Sequence, residues 1–191
     1  MSTIETPSQI KTIVNPFTVV ADTREQQVYT FEGLWDGPAG RSKLIVVPTV
    51  RATVPVGDYS IEGMLDRIAI ERKSKADLYS SVSQARENFV GRLERMAKLD
   101  FAAVVVEAEW LELLTDPPRH TKYAPKALSR TIDAWMIRYP VHWVMMPSRE
   151  HAERKTFRLL ERYWRDQQER PRERFHPGLS DIPMSDPDEK N

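Results

Sequence analysis

Apolar residues recur along this chain in two rhythms. From Ser74 to Lys98 they fall three and four apart, at Leu78, Val82, Ala85, Phe89, Leu93 and Met96, which is one face of a helix. Pro125 to Tyr139 repeats the pattern with Leu128, Ile132, Trp135 and Met136 inward, and its proline suits a first helical turn. Arg149 to Arg170 reads as a long charged helix with Phe157, Leu160 and Trp164 on one stripe. Short apolar runs at Phe17–Asp22, Gly57–Ile61, Ile68–Lys73, Ala102–Glu107 and Val141–Met146 predict strands, and Lys43–Thr53 is β-rich. The glycines between Phe31 and Ser42 predict a loop, and Glu62–Arg67 a hairpin turn. Mixed strands followed by strand–helix alternation indicate an α/β layered fold. Residues 1–15 read as a flexible lead, 16–170 as one domain and 171–191 as a disordered tail.

The hairpin concentrates the chemistry. Residues two apart on a strand share a face, so Glu71 and Lys73 point one way and Ile68, Ile70 and Arg72 the other. A turn centred between Met64 and Leu65 sets Asp58 opposite Glu71, with Cβ atoms roughly 5 Å apart. One divalent cation can bridge such a carboxylate pair through oxygen. A slip of one residue would turn Asp58 to the other face. Upstream, Val19-Val20-Ala21-Asp22-Thr23-Arg24-Glu25 reads as an apolar strand ending in a charged tip, a place where folds present groups to ligands.

The ordered set Asp22-x-Arg24-Glu25, Gly57-Asp58-Tyr59 and Glu71-Arg72-Lys73-x-x-x-Asp77-Leu78 resembles the nuclease domain of the XPF family of structure-specific endonucleases, a branch of the PD-(D/E)XK superfamily. The resemblance spans roughly Phe17 to Asp166. It implies a restriction-endonuclease-like fold, with a central mixed sheet flanked by helices. It implies a Mg²⁺- or Mn²⁺-dependent DNA endonuclease acting on a 3′ flap, fork or junction in repair, recombination or replication. Asp22, Asp58 and Glu71 would hold metal, and Lys73 would orient water or stabilise charge on the phosphate. Arg24, Glu25, Arg72 and Asp77 complete the implied catalytic set, and Tyr59, Lys75 and Arg86 are the implied DNA contacts. Members commonly carry a tandem helix-hairpin-helix module that this chain does not resemble, so the chain is read as the nuclease domain standing alone. Members also act as dimers. Here that implies a homodimer or heterodimer through the C-terminal helices, with Trp135, Tyr163 and Trp164 as contacts.

Several residues keep two readings. Asp77 follows Ser74 by three, so it reads as a helix-capping residue as well as a chemical one. Tyr59 reads as core or as a substrate contact, and Arg24 as a partner of Asp22 or Glu25 or of a phosphate. Arg92, Arg95 and Lys98 read as a solvated helix face. A junction resolvase, a nonspecific DNase and a noncatalytic scaffold are the competing functions; retention of Asp22, Asp58, Glu71 and Lys73 argues against the scaffold.

Composition narrows the field further. The chain has 191 residues, 40% hydrophobic, enough for one sizeable core. It has no cysteine, which excludes disulfides and thiolate zinc sites, and its four histidines lack metal-ligand spacing. No apolar run spans a bilayer and the N-terminus lacks a signal-peptide pattern, so a cytoplasmic, nucleic-acid-associated setting is expected. The net charge is zero, but basic residues exceed acidic ones between Arg72 and Lys98, an arrangement that suits a phosphate backbone.

Overall fold

The computed structural model describes residues 10–37, 43–119 and 121–169. A six-stranded mixed sheet organises them. Its order is β5 (Thr49–Ala52), β2 (Val19–Asp22), β6 (Tyr59–Ile61), β7 (Ile68–Lys73), β8 (Phe101–Val106) and β9 (His142–Met145). β6 is antiparallel to both neighbours, whereas β5–β2, β7–β8 and β8–β9 are parallel pairs. A second sheet joins β1 (Thr12–Val14), β4 (Lys43–Val46) and β3 (Trp35–Asp36).

The period-2 alternation of β7 and β8 feeds two cores. Ala69, Ala102, Val104 and Val106 face α1 (Lys75–Val82), α2 (Arg86–Met96), α3 (Trp110–Thr115) and α4 (Pro125–Arg138). Ile68, Ile70, Ala103 and Val105 face α5 (Arg149–Glu169), whose Ala152, Phe157 and Leu160 are fully buried. The result is the expected layered α/β architecture, with helices on both faces of a mixed sheet.

Four expectations change. The loop predicted between Phe31 and Ser42 holds the short strand Trp35–Asp36, paired with Lys43 and Leu44. The helix predicted over Ser74–Lys98 is two helices. Ser83 sits between them at φ −116° and ψ −97°; its hydroxyl donates to Tyr79 O at 2.7 Å and its N–H to Ser80 O. A serine that captures backbone carbonyls in this way competes with the helical ladder. The lead-in over residues 1–15 contains a strand, because Thr12–Val14 pairs in parallel with Leu44–Val46. Lys43–Thr53 divides at Val47-Pro48 into strands of different sheets. Residues 1–9 and the tail 171–191 lie outside the described residues. Among those described, no helix is long and apolar enough to cross a membrane.

Candidate active site

Three adjacent strands carry the acidic residues. Asp22 ends β2, Asp58 immediately precedes β6, and Glu71 lies in β7. Main-chain bonds tie them: Asp22 N–H donates to Asp58 O and Asp58 N–H to Ile70 O, each at 2.8 Å. Tyr59 pairs with Ile70, the register of a hairpin centred between Met64 and Leu65. Gly57 turns the chain into β6 at φ +80°; a Cβ there would lie 3.1 Å from both Ala69 Cβ and Ile70 O. The turn therefore requires glycine on both conformational and steric grounds.

These residues wall a pocket of about 390 Å³. Glu71 is fully buried at its floor. Its Oε1 is shared by Lys73 Nζ at 2.9 Å and the Arg92 guanidinium, while its Oε2 is buried with no partner. Lys73 also lies 4.7 Å from the centroid of the Phe89 ring, which limits where its ammonium can go. Asp58 accepts from the Arg72 N–H at 2.7 Å. Burial first, and the Glu71 charge second, push the Asp58 carboxyl up to about 8. A half-buried carboxyl destabilised as an anion and a fully buried one with an unpartnered oxygen form a donor set that fits a hard divalent cation.

Asp22 is in a different condition. Its Oδ1 accepts from Arg24 N and Nε, each at 2.7 Å, and its Oδ2 from Arg24 Nη2 and Val54 N, each at 2.8 Å. Those four donors fill the acceptor sites of a carboxylate. The Arg24 bond is the largest influence, and it lowers the Asp22 carboxyl to about 2. Among the described residues no group of three or more His, Asp or Glu side chains gathers as a metal cage. Asp22, expected as a third metal ligand, has its acceptor sites occupied by Arg24 and by Val54 N–H, whereas Glu71 Oε2 has no partner.

On the opposite face of β7, Arg72 binds Glu107 bidentately, at 2.7 Å for each bond, and Gln27 at 2.9 Å. Its Nη1 lies 3.5 Å from Glu25. Glu107 also accepts from Tyr29 Oη at 2.9 Å and Arg149 at 3.1 Å. Arg149 donates onward to Gln27 O and Val28 O, and so fastens the segment that carries Glu25 to the pocket rim. Strand alternation places Arg72 on this face, but its partner Glu107, and the Tyr29 and Arg149 that share that carboxylate, come from distant parts of the chain, out of reach of local pattern.

The remaining expected residues separate. Asp77 lies at the pocket rim and also caps α1: its N–H donates to Ser74 Oγ at 3.1 Å, and Ser74 Oγ donates to its Oδ2 at 2.6 Å. Tyr59 is corrected from DNA contact to core. It is fully buried, stacked on Tyr29 with ring centroids 5.0 Å apart, and its hydroxyl accepts from Tyr29 N–H. Lys75, a second implied DNA contact, is bound by Glu112 and Asp116, each at 2.7 Å. Arg86 is exposed outside the pocket, 5.2 Å from the centroid of the Trp135 ring.

Arg92 reverses its expected role as a solvated charge: it enters the pocket and contacts the buried Glu71, with Arg95 beside it on the wall. One signal was present in the sequence. Arg92 stands three residues after Phe89 and four before Met96, on the edge of the buried stripe.

Known proteins resemble this chain in sequence and in fold. A family model described as the ERCC4 domain matches residues 21–159, which include every acidic residue of the pocket. No curated protein matches the chain. Among solved structures, XPF from Aeropyrum pernix is similar with a TM-score of 0.59 at 20% identity, over 86% of this chain and 70% of that one. XPF from Aeropyrum pernix in complex with DNA gives 0.55 at 19% identity, over 79% and 66%. The match to the family covers most of the chain, and the fold is that of the solved XPF structures: this chain belongs to the ERCC4 domain family.

Proposed function

We propose that this domain is a Mg²⁺- or Mn²⁺-dependent endonuclease that hydrolyses phosphodiester bonds in branched DNA, such as a 3′ flap, fork or junction. One observation carries the reading: Glu71 is fully buried with an unpartnered Oε2, and Asp58 and Lys73 share its pocket. An unmatched buried oxygen is costly unless something binds it. Asp58 and Glu71 would hold the cation. When bound, it supplies Lewis-acid polarisation of the phosphate and lowers the pKa of a water.

The chain's own residues do the rest. Lys73 orients the attacking water or balances negative charge that grows on the phosphate in the transition state. Arg72 holds Asp58 in place through its main-chain N–H. Asp22 fixes Arg24 with its guanidinium at the pocket rim. Glu25 and Asp77 add negative charge around the opening, where a second cation could be attracted. The solved XPF in complex with DNA supports DNA as the substrate, and the family resemblance supports a branched one.

A dimer through the C-terminal helices belongs to the same proposal. Trp135 and Tyr163 are buried within the domain, whereas Trp164, packed on Phe17, is half-buried and keeps surface for a partner. Met136 and Ile137 on α4, 51% and 89% exposed, would add apolar surface to such a contact.

The test is cleavage of labelled 3′-flap, 5′-flap, fork, four-way-junction and linear DNA in Mg²⁺ and Mn²⁺, with Asp58→Ala and Lys73→Ala as controls. Branched DNA should be cut by the wild type and spared by both variants. Equal cutting of linear DNA would remove the branch preference. No cutting in either metal, with no partner recovered in a pull-down, would remove the nuclease reading.

A further inference from the structure

Arg92 joins two environments. Its guanidinium reaches the fully buried Glu71, yet 38% of its side chain remains exposed to the pocket. Lys73 already binds the same Glu71 oxygen, so that oxygen has two cationic donors while Oε2 has none. A purely structural pairing would distribute the donors over both oxygens, as the bidentate Arg72–Glu107 pair does. Across the opening stands Arg24, 69% exposed and held by Asp22, and Arg95 lines the wall one turn along α2 from Arg92. The mouth is thus flanked by guanidinium groups from two sides, above a floor that suits a divalent cation.

We propose, building on the nuclease reading, that Arg92 is an exchangeable counter-charge. In the metal-free protein it neutralises Glu71. When a divalent cation takes up that carboxylate, the guanidinium turns outward to bind a phosphate of the DNA strand, with Arg24 as the opposing donor. Guanidinium suits this exchange because its planar fork fits carboxylate and phosphate oxygens alike. Arg92 and the cation compete for Glu71, so their binding is negatively coupled. Cation and DNA phosphate then reinforce each other, because the metal frees the group that the phosphate needs.

The experiment uses the full chain and Mn²⁺ as the probe, without DNA. Calorimetric titration and Mn²⁺-dependent thermal shift are measured for wild type, Arg92→Gln, Arg92→Lys and Arg95→Gln. Removing the competitor should tighten Mn²⁺ binding by about tenfold in Arg92→Gln. Arg92→Lys should stay near wild type. Arg95→Gln, which lowers the pocket charge without touching Glu71, should move affinity by less than about threefold. Binding of a 3′-flap DNA in Ca²⁺ should fall about tenfold in Arg92→Gln and recover partly in Arg92→Lys. A structural Arg92 would instead weaken Mn²⁺ and DNA binding together, and that result overturns the inference. So does unchanged Mn²⁺ affinity in a folded Arg92→Gln protein. If wild type binds Mn²⁺ and cuts DNA while Arg92→Gln shows no tightening, only this inference falls. If wild type neither binds Mn²⁺ nor cuts DNA, the nuclease reading falls with it.

Discussion

On one side of β7, Arg72 is surrounded by partners; on the other, Glu71 is short of them. Arg72 meets Glu107 twice, Gln27 and Glu25, and the side chains of Arg72 and Glu107 are 6% and 9% exposed. Glu71, one residue earlier and fully buried, leaves Oε2 without a donor. The same strand, with the same backbone pairing to β8, supports both conditions. Strand alternation sends the two residues into different cores, so one face can be optimised for cohesion while the other stays receptive. A closed polar network resists change, whereas an open one is completed by a ligand.

The contrast breaks most easily at Arg72. Arg72→Ala should cost about 3–5 kcal/mol, since it strips a buried ion pair from Glu107. Urea unfolding measures it, and a loss below about 1 kcal/mol would mean that the two faces do not differ. Next comes Glu71→Gln, which removes a charge at nearly constant shape. Metal-free stability should hold or rise, while cleavage falls at least about 100-fold, near 3 kcal/mol in transition-state terms. Parallel unfolding and single-turnover assays would show this split; a joint fall in both would make Glu71 as structural as Arg72.

The pH responses of the two aspartates sharpen the comparison, because their signs are opposite. Asp58 is raised to about 8 by burial and by Glu71, so the metal-free fold loses stability as pH rises from the ordinary aspartate range through that value. A cation must displace its proton below pH 8. Mn²⁺ affinity should therefore increase about tenfold per pH unit up to there, and calorimetry in buffers of different ionisation heat should detect the released proton. Asp22 is lowered to about 2, chiefly by Arg24, so its contribution is present above the ordinary aspartate range and lost as pH falls through 2. Arg24 is largely exposed, and screening brings the effect to about 1–2 kcal/mol. Acid unfolding of Asp22→Asn against wild type reads it directly.

Local rules carried much of this architecture. Period 2 placed Glu71 and Lys73 together and Arg72 opposite, and the hairpin centre fixed the register that brings Asp58 beside Glu71. Period 3.6 located α4 and α5 and the buried stripe of α1 and α2. What escaped was set by tertiary partners. Ser83 ends a helix that the apolar spacing alone would continue. Thr12–Val14 becomes a strand only because Leu44–Val46 accepts it. The ion pairs of Lys75, read from sequence as an implied DNA contact, depend on Glu112 and Asp116 folding against it. The saturation of Asp22 depends on Val54, far along the chain, and the capture of Glu71 by Arg92 depends on where α2 restarts.

The main-chain bonds that join Asp22, Asp58 and Ile70 give the pocket an unusual dynamic standing. Ligand sites are commonly drawn from the least protected parts of a fold. Here the acidic floor is stitched into the middle of the sheet, so amide exchange at Asp22 and Asp58 should require opening the domain's most cooperative unit. The amide of Arg72 is the exception, since it is held by the Asp58 side chain rather than by a carbonyl. That N–H can act as a native reporter: its exchange rate follows the charge on Asp58, as those of Arg24 and Val54 follow the charge on Asp22.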